Sequence, residues 1–224
     1  MATPRELARE QMNERILQLG RKQLADVGAA GLSVRALTRE LGVSSSAVYR
    51  YVASRDELLT RLIVDSYDAV GAAVEEAVRT ARGKPLARWR RACAAMRDWA
   101  HTHPQQWALL YGSPVPGYQA PEETLAPAGR VAVALVSVVS DCDARPQAPR
   151  AAPARRLMAN LARVAPDFGA ADGPAMLALV SAFTRLVGTL SLELSGHLVG
   201  TAEPHSAYWD WLVDELAPEL GLVD

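Results

Sequence analysis

"LTRELGVSSSAVYRYVASRDELL", residues 37–59, combines regularly spaced apolar residues with one glycine, three consecutive serines and three arginines. The apolar residues recur every three or four positions on both sides of Gly42, which is typical of short amphipathic helices. Gly42 permits a sharp turn between the two helices, and Val43 then returns to the core. The stretch therefore predicts two short helices joined by a tight turn.

The second of these helices, over residues 45–52, has two chemically different sides. Ser44 is a suitable N-cap for it. A rotation of about 100° per residue places Val48 and Val52 on the inner side. The other side carries Ser46, Ala47 and Arg50 and is flanked by Ser45, Tyr49 and Tyr51. A rod of this length, about 12 Å, fits the major groove of B-DNA, where hydroxyls, rings and a guanidinium can reach bases and phosphates.

Capping signals mark the helices on either side of this pair. Thr3-Pro4-Arg5-Glu6 predicts the start of a first helix that runs to about Val27, and Ser33 predicts the start of the second. Ser54-Arg55-Asp56-Glu57 predicts the start of a fourth helix. Arg55 at that helix N-terminus suits a DNA phosphate, the alternative being a solvated arginine in a structural turn.

The longer stretch "LSVRALTRELGVSSSAVYRYVASRDELL" resembles the helix-turn-helix of TetR-family transcriptional regulators, and the resemblance extends over residues 14–63. It implies DNA contacts from the starts of helices two and four and from the recognition helix between them. Carried over position by position, these contacts are Arg35, Thr38, Ser45, Ser46, Ala47, Tyr49, Arg50, Tyr51 and Arg55. Tyr51 stands where histidine or phenylalanine is common in the family, and Arg55 stands where lysine is usual, which leaves the preferred DNA sequence open.

Helical periodicity continues through the rest of the chain, so the predicted fold class is all-α. We expect a helix-turn-helix DNA-binding domain over residues 1–60 and an α-helical ligand-binding and dimerisation domain over residues 61–224. Two late helices, over residues 174–199 and 206–220, carry long apolar stripes. The resemblance implies that they pair with those of a second copy in a four-helix bundle of a homodimer. Completion of one subunit's own core is the alternative.

"HTHPQQWALLYGSPVPGYQAP", residues 101–121, resembles the start of the C-terminal ligand-sensing region in one actinobacterial branch of the same family. Prolines at positions 114, 116, 121 and 127 predict that no regular helix spans residues 113–127. Two interpretations stay open for this loop, a lid over a pocket or a structural crossover between helices.

Aromatic and methionine residues recur with helical spacing on both sides of this loop, which indicates either core or a pocket for an unknown small-molecule effector. The pocket hypothesis assigns the lining to Trp89, Met96, Trp99, His103, Trp107, Tyr111, Asn160, Phe183 and Thr184.

Charge and composition narrow the class of protein. Residues 1–61 carry a net charge of +3 and residues 62–224 a net charge of −4, which permits a DNA-binding head on an acidic body. No apolar signal region occurs, and Arg185 and Glu193 interrupt the longest apolar segment, so we expect a cytoplasmic protein without membrane segments. Cys93 and Cys142 are predicted to be reduced and buried.

Neither a metal site nor a cofactor is predicted, because the four histidines form no cluster with cysteines or carboxylates. The proline- and arginine-rich residues 143–156 predict an exposed connection, with an accessory DNA arm as the alternative.

Together these features predict a ligand-responsive repressor that binds a pseudo-palindromic operator in double-stranded DNA as a dimer. Two alternatives belong to other classes. The first is an all-α enzyme acting on an apolar small molecule, which is disfavoured because the chain contains no nucleotide-binding or nucleophile motif. The second is a sequence-indifferent DNA architectural protein, which is disfavoured by the near-zero net charge.

Overall fold

A computed structural model describes residues 3–141, 146 and 152–222, and within them the chain is all-α, as predicted. Ten α-helices occur in these residues. They are α1 (Pro4–Val27), α2 (Val34–Leu41), α3 (Ser45–Tyr49), α4 (Arg55–Thr80), α5 (Pro85–Thr102), α6 (Pro104–Tyr111), α7 (Leu125–Ser140), α8 (Arg155–Val164), α9 (Gly173–Leu194) and α10 (His205–Glu219). Short 3-10 turns lie at Ala29–Gly31, Glu122–Thr124 and Ala165–Phe168.

Tertiary contacts divide the chain into two compact units. The head unit holds the residues up to Tyr67 together with Gln105–Pro127, and the body unit holds Asp68–Pro104 and the residues from Ala128 onward. The boundary expected at residue 60 differs from this division in two respects, because it assigns both residues 61–67 and residues 105–127 to the body. The helix α4 belongs to both units, changing from one to the other after Tyr67.

The core of the head unit is a single hydrophobic cluster formed by α1 to α4. Ile16, Leu37, Val48 and Leu58 are fully buried in it. At Gly20 a methyl group would lie 3.1 Å from the Leu62 side chain, so α1 and α4 pack closely where glycine stands. The apolar faces predicted for the first four helices are therefore the ones that form this core.

Residues 105–127 join the head unit through apolar and polar contacts. Leu109, Leu110 and Val115 pack against the hydrophobic cluster of the head. The Gln106 Nε2 atom donates to the Ser66 hydroxyl oxygen at 3.1 Å, and both side chains are buried. Burial of these side chains against α4 explains why the segment belongs with the head.

In the body unit, α5, α9 and α10 pack against one another. Trp89 of α5 is completely buried, and its indole Nε1 donates to the Val213 carbonyl at 2.9 Å. Cys93 and Met96 follow on the same buried face of α5, as does Leu186 on α9. Burial raises the pKa of the Cys93 thiol, consistent with an inert structural cysteine. Cys142 lies outside the described residues.

Three helix boundaries differ from those predicted. Helix α3 ends at Tyr49. Helix α9 ends at Leu194, because Ser195 leaves the helical conformation and Gly196 after it has a φ of 77°. Helix α7 begins at Leu125, so Pro127 lies in its first turn, where a proline costs no hydrogen bond. Most of the predicted connection at residues 143–156 lies outside the described residues, but Arg155 and Arg156 begin α8.

Two helical stretches, Glu122–Ser140 and Gly173–Leu194, are long and apolar enough to cross a membrane by length and composition alone. This is weak evidence for a membrane segment, because the core helix of a soluble protein passes the same test. Leu135 and Leu186 on these helices are buried in the body unit, and Arg185 of α9 forms an ion pair with Glu219 of α10.

Candidate nucleic-acid interface

Local hydrogen bonds define the ends of α2 and α3. The Ser33 hydroxyl accepts the Ala36 amide, and the Ser44 hydroxyl accepts the Ala47 amide, each at 3.3 Å. Between the helices, Gly42 adopts a φ of 66°, which residues with a side chain rarely adopt. The predicted caps and the predicted turn are therefore confirmed.

Helix α3 buries one side and exposes the other. Val48 and Val52 are fully buried in the head core. Four predicted contact residues lie on the exposed side: Ser45, Ser46, Tyr49 and Arg50. Tyr49 itself is 42% exposed, although tyrosine is a large and partly apolar residue. The outer side of α3 thus presents hydroxyls, an aromatic ring and a guanidinium to solvent.

Ala47 is half-buried, and Tyr51 is half-buried as well because its ring packs against the head core. Tyr51 follows the end of α3 in a turn, where its amide donates to the Val48 carbonyl at 2.8 Å. The aromatic ring that the resemblance assigned to DNA therefore also supports the head.

Thr38 is the one predicted contact residue that is buried. Its hydroxyl donates to the Val34 carbonyl one turn earlier at 2.9 Å. Arg35, on the same helix, is exposed. Of the two α2 residues assigned to DNA, Arg35 is therefore the one that the fold leaves accessible.

Arg55 stands at the start of α4 as expected, but its guanidinium is engaged within the head. Its Nη2 atom donates to the carbonyls of Ala29 and Ala30, at 3.0 and 3.3 Å. These bonds join the 3-10 turn after α1 to the start of α4. A role in contacting phosphate stays a prediction, and the position of the side chain equally supports the structural alternative.

Sequence reasoning did not single out Arg61, which lies at the edge of this surface on α4. The Arg61 Nη2 atom donates to the Tyr51 carbonyl and, at 2.5 Å, to Glu57 Oε1. The only sequence signal was the spacing of four residues between Glu57 and Arg61, which is common on solvated helices. Nothing local indicated that Arg61 contacts the end of the recognition segment.

The nine residues predicted to line a ligand pocket are not equivalent in the structure. Trp89, Met96, Trp99 and Trp107 are buried, whereas Asn160 and Thr184 face solvent. The Thr184 hydroxyl donates to the Val180 carbonyl of its own helix. Phe183 is half-buried.

Four of the predicted pocket residues form aromatic pairs. In the body unit, Trp99 and His103 stack with centroids 4.9 Å apart, and His103 Nδ1 donates to the Trp99 carbonyl at 3.0 Å. In the head unit, Trp107 and Tyr111 have centroids 4.5 Å apart. Burial raises the pKa of the Tyr111 hydroxyl. This packing accords with the core interpretation of the aromatic residues.

A groove of about 900 Å³ in the body unit is lined by other residues. It lies between the end of α7 and the start of α9, with Ser140, Gly169, Asp172 and Leu179 among its lining residues. The Asp172 carboxylate caps α9 by accepting the Ala175 amide at 2.8 Å. Among the described residues, no group of three or more histidines, cysteines or carboxylates could hold a metal ion.

Comparisons with known proteins agree with this geometry. The family model described as bacterial regulatory proteins, tetR family, matches residues 16–62, which include α2 and α3. A second model, described as the tetracyclin repressor-like C-terminal domain, matches residues 89–216.

Curated relatives include HTH-type transcriptional regulators of Mycobacterium tuberculosis and Mycobacterium bovis, each 51% identical over 138 residues. That match covers 59% of this chain and 58% of each relative, so less than two thirds of their length is spanned.

Solved structures extend the likeness over more than nine tenths of the chain. A protein classed as regulatory, SCO4313, has a TM-score of 0.79 and 29% identity, with 96% of this chain and 100% of that chain covered. A protein of unknown function from Rhodococcus sp. RHA1 has a TM-score of 0.65 and 26% identity, with 92% and 95% covered.

Proposed function

The chain belongs to the TetR family of bacterial transcriptional regulators, and from this premise we propose that it is a cytoplasmic repressor. It binds a pseudo-palindromic DNA operator as a homodimer and is released by a small-molecule effector. The observation that carries the proposal is the outer side of α3, where Tyr49 and Arg50 are exposed while Val48 anchors the helix from behind.

Electrostatics support DNA as the partner of this surface. Arg35 and Arg50 are exposed, and among residues 3–141, 146 and 152–222 neither forms an ion pair. An unpaired guanidinium can donate two parallel hydrogen bonds to a guanine edge or bind a phosphate oxygen. We assign Ser45, Ser46, Tyr49 and Arg50 to contacts in the DNA major groove. We assign Arg35 to the adjacent sugar-phosphate backbone of the DNA.

The outward face of α9 supports a homodimer. Leu179, Leu186 and Leu190 point into the body core, which leaves Val180 and Thr184 on the opposite face, with Val180 38% exposed. Gly188 leaves open space on this outward face, because a methyl group there would meet no atom within 4 Å. An apolar and small-residue face of this kind lets a second helix approach closely.

Helix α10 adds an exposed aromatic pair to the body unit. Trp211 is 55% exposed and stacks against Tyr208, with ring centroids 5.6 Å apart. Tryptophan and tyrosine are common anchors of protein interfaces. We propose that α9 and α10 of two copies pack together, and that the dimer presents its two α3 helices to half-sites about 34–36 Å apart.

Effector control is proposed to act through α4, because this helix supplies residues to both units. In the body, the Arg130 guanidinium holds α4 by bonding both oxygens of Glu75, at 2.8 and 2.6 Å, and Asp68 Oδ1 at 2.6 Å. An effector acts by favouring one of two arrangements of this junction, so it must bind the two arrangements with different affinities.

Selection of bound fragments from genomic DNA tests the proposal. The purified full-length chain should enrich fragments that share an inverted repeat, and Tyr49→Ala and Arg50→Ala should lose that enrichment while retaining a helical circular dichroism spectrum. Repeating the selection with cell extract tests release by an effector. Equal retention of random duplex would instead identify a sequence-indifferent DNA-binding protein.

A further inference from the structure

Arg61 connects three segments of the head unit through one guanidinium group. Its Nη2 atom bonds the Tyr51 carbonyl, just past the end of α3, and Glu57 Oε1 on α4. Its Nη1 atom donates to Asn13 Oδ1 on α1 at 3.4 Å. The side chain is 33% exposed, and two of its three nitrogens are engaged.

Glu57 extends this connection to the next residues of the recognition segment. Its second oxygen, Oε2, accepts the Ala53 amide at 2.7 Å, and its own amide donates to the Ser54 hydroxyl at 3.0 Å. The Arg61–Glu57 pair therefore bonds the backbone at two points, the Tyr51 carbonyl and the Ala53 amide. Both groups lie on the turn that connects α3 to α4.

Helix α3 needs such support because it is only five residues long. A helix of this length has too few internal hydrogen bonds to hold its own conformation. The Ser44 cap secures its first turn, and burial of Val48 secures its inner side. At its last turn the amides of Tyr51 and Val52 donate to the Val48 carbonyl, and the Arg61 and Glu57 bonds act on the backbone that follows.

From these contacts we infer that Arg61 is a positioning residue for operator recognition. It holds the end of α3 so that Tyr49 and Arg50 meet the base edges in one orientation. This inference rests on the proposed function of the head as a DNA reader. Arg61 acts through the backbone of Tyr51 and does not itself bind a phosphate.

Two measurable consequences separate positioning from other roles. Loss of orientation weakens hydrogen bonds to base edges, which are directional, more than attraction to phosphates, which is not. Operator affinity should therefore fall while affinity for random duplex stays the same. Because no phosphate contact is lost, the dependence of operator affinity on salt concentration should also stay the same.

The experiment compares Arg61→Gln and Arg61→Lys with wild-type full-length protein. Arg79→Gln is the matched control, since Arg79 forms a similar pair with Glu76 on the same helix but is highly exposed. Dissociation constants are measured on the selected operator and on random duplex at three salt concentrations, with thermal melting alongside. For Arg61→Gln we expect operator affinity to fall about tenfold, the effect of losing one good base contact, and random-duplex affinity to stay within twofold.

We expect Arg61→Lys to give an intermediate operator affinity, because an ammonium can keep one or two of the three bonds but lacks the guanidinium geometry. Arg79→Gln should behave as wild type. If Arg61→Gln does not fold, Glu57→Gln tests the same inference, because it removes the charged partner and keeps an acceptor for the Ala53 amide.

Three results would overturn the inference. Equal losses on both duplexes would show that Arg61 only stabilises the fold, and a salt slope lowered by about one would show a direct phosphate contact. Unchanged operator affinity would show that Arg61 has no role in recognition. A wild-type protein that prefers no duplex would instead refute the proposed function itself.

Discussion

The hydroxyl oxygens of Thr60 and Tyr118 lie 2.8 Å apart, although 58 positions separate the two residues in the chain. Thr60 is buried on α4, and Tyr118 lies in the proline-rich loop before α7. This hydrogen bond, together with apolar contacts of Val115 and Tyr118, fastens the loop to the helix-turn-helix. The loop is therefore a structural part of the head unit.

Replacement of Tyr118 by phenylalanine should reduce the free energy of unfolding by about 1 kcal/mol, because it removes one hydrogen bond and leaves a buried threonine hydroxyl with one partner fewer. Urea denaturation followed by circular dichroism measures the change. Tyr49→Phe is the control, since the exposed Tyr49 has no hydroxyl hydrogen bond within the described part of the chain. Equal midpoints for both variants would mean that the Thr60–Tyr118 bond contributes nothing.

Gly71→Ala should destabilise the body unit. A methyl group at Gly71 would lie 2.7 Å from Arg130 Cβ, so α4 and α7 would have to separate. Overpacking costs about 1–3 kcal/mol, which offsets or exceeds the gain of about 1 kcal/mol from replacing a helical glycine by alanine. Gly129→Ala on α7 provides the comparison, because its methyl group would meet only Phe168, at 3.7 Å. Thermal melting should rank Gly71→Ala below wild type and Gly129→Ala above it.

Acid should weaken the body unit through Glu193, which is only 7% exposed. Burial alone would raise the pKa of this carboxyl, but the hydrogen bonds and charges of Arg97 and His101 outweigh burial and lower it below 4.5. A lowered folded pKa means that the ionised carboxylate contributes stability above the unfolded pKa, and that this contribution is lost as the pH falls through the folded value.

Glu193→Gln should therefore be less stable than wild type at pH 7, and the difference should shrink as the pH falls below about 4.5, the unperturbed value. Urea midpoints at pH 7, 5 and 3.5 measure it. Glu215→Gln, on an exposed position of α10, should follow the wild-type curve. A constant difference between Glu193→Gln and wild type across this range would contradict the linkage.

Val180→Glu should shift the proposed homodimer towards monomer, because it places a charge at the centre of an apolar interface. Sedimentation equilibrium measures the association, and circular dichroism checks that the helices persist. Leu157→Glu introduces the same charge at another exposed apolar position, on α8, and should leave the dimer intact. Dimers of unchanged affinity in Val180→Glu would exclude this face of α9 from the interface.

Local sequence accounted for much of the candidate interface. Ser33, Gly42 and Ser44 were recognisable because a cap or a left-handed turn depends on atoms within a few residues of each other. The inward position of Val48 and Val52 followed from helical period alone. These features are short-range, so the amino-acid pattern is enough to predict them.

The side chains of Thr38 and Arg55 illustrate where such reasoning ended. Both occupy positions that the resemblance associates with DNA, yet the Thr38 hydroxyl bonds its own helix and the Arg55 guanidinium bonds the carbonyls of Ala29 and Ala30. The choice of a polar side chain between water, a ligand and a nearby carbonyl as hydrogen-bond partner involves little difference in free energy. That choice depends on which carbonyls the fold brings within reach.

By itself, the sequence determined the all-α class, the capped helix-turn-helix and the apolar faces, because helical period and capping are written in neighbouring residues. Only the tertiary structure decided that the loop around Tyr118 belongs to the head, that Arg61 reaches the end of α3, and that the tryptophans of α5 are core. These contacts join residues that are distant in the chain or lie on different helices. They exist because the packing of apolar faces brings such residues together, and no periodicity in the sequence specifies those partners.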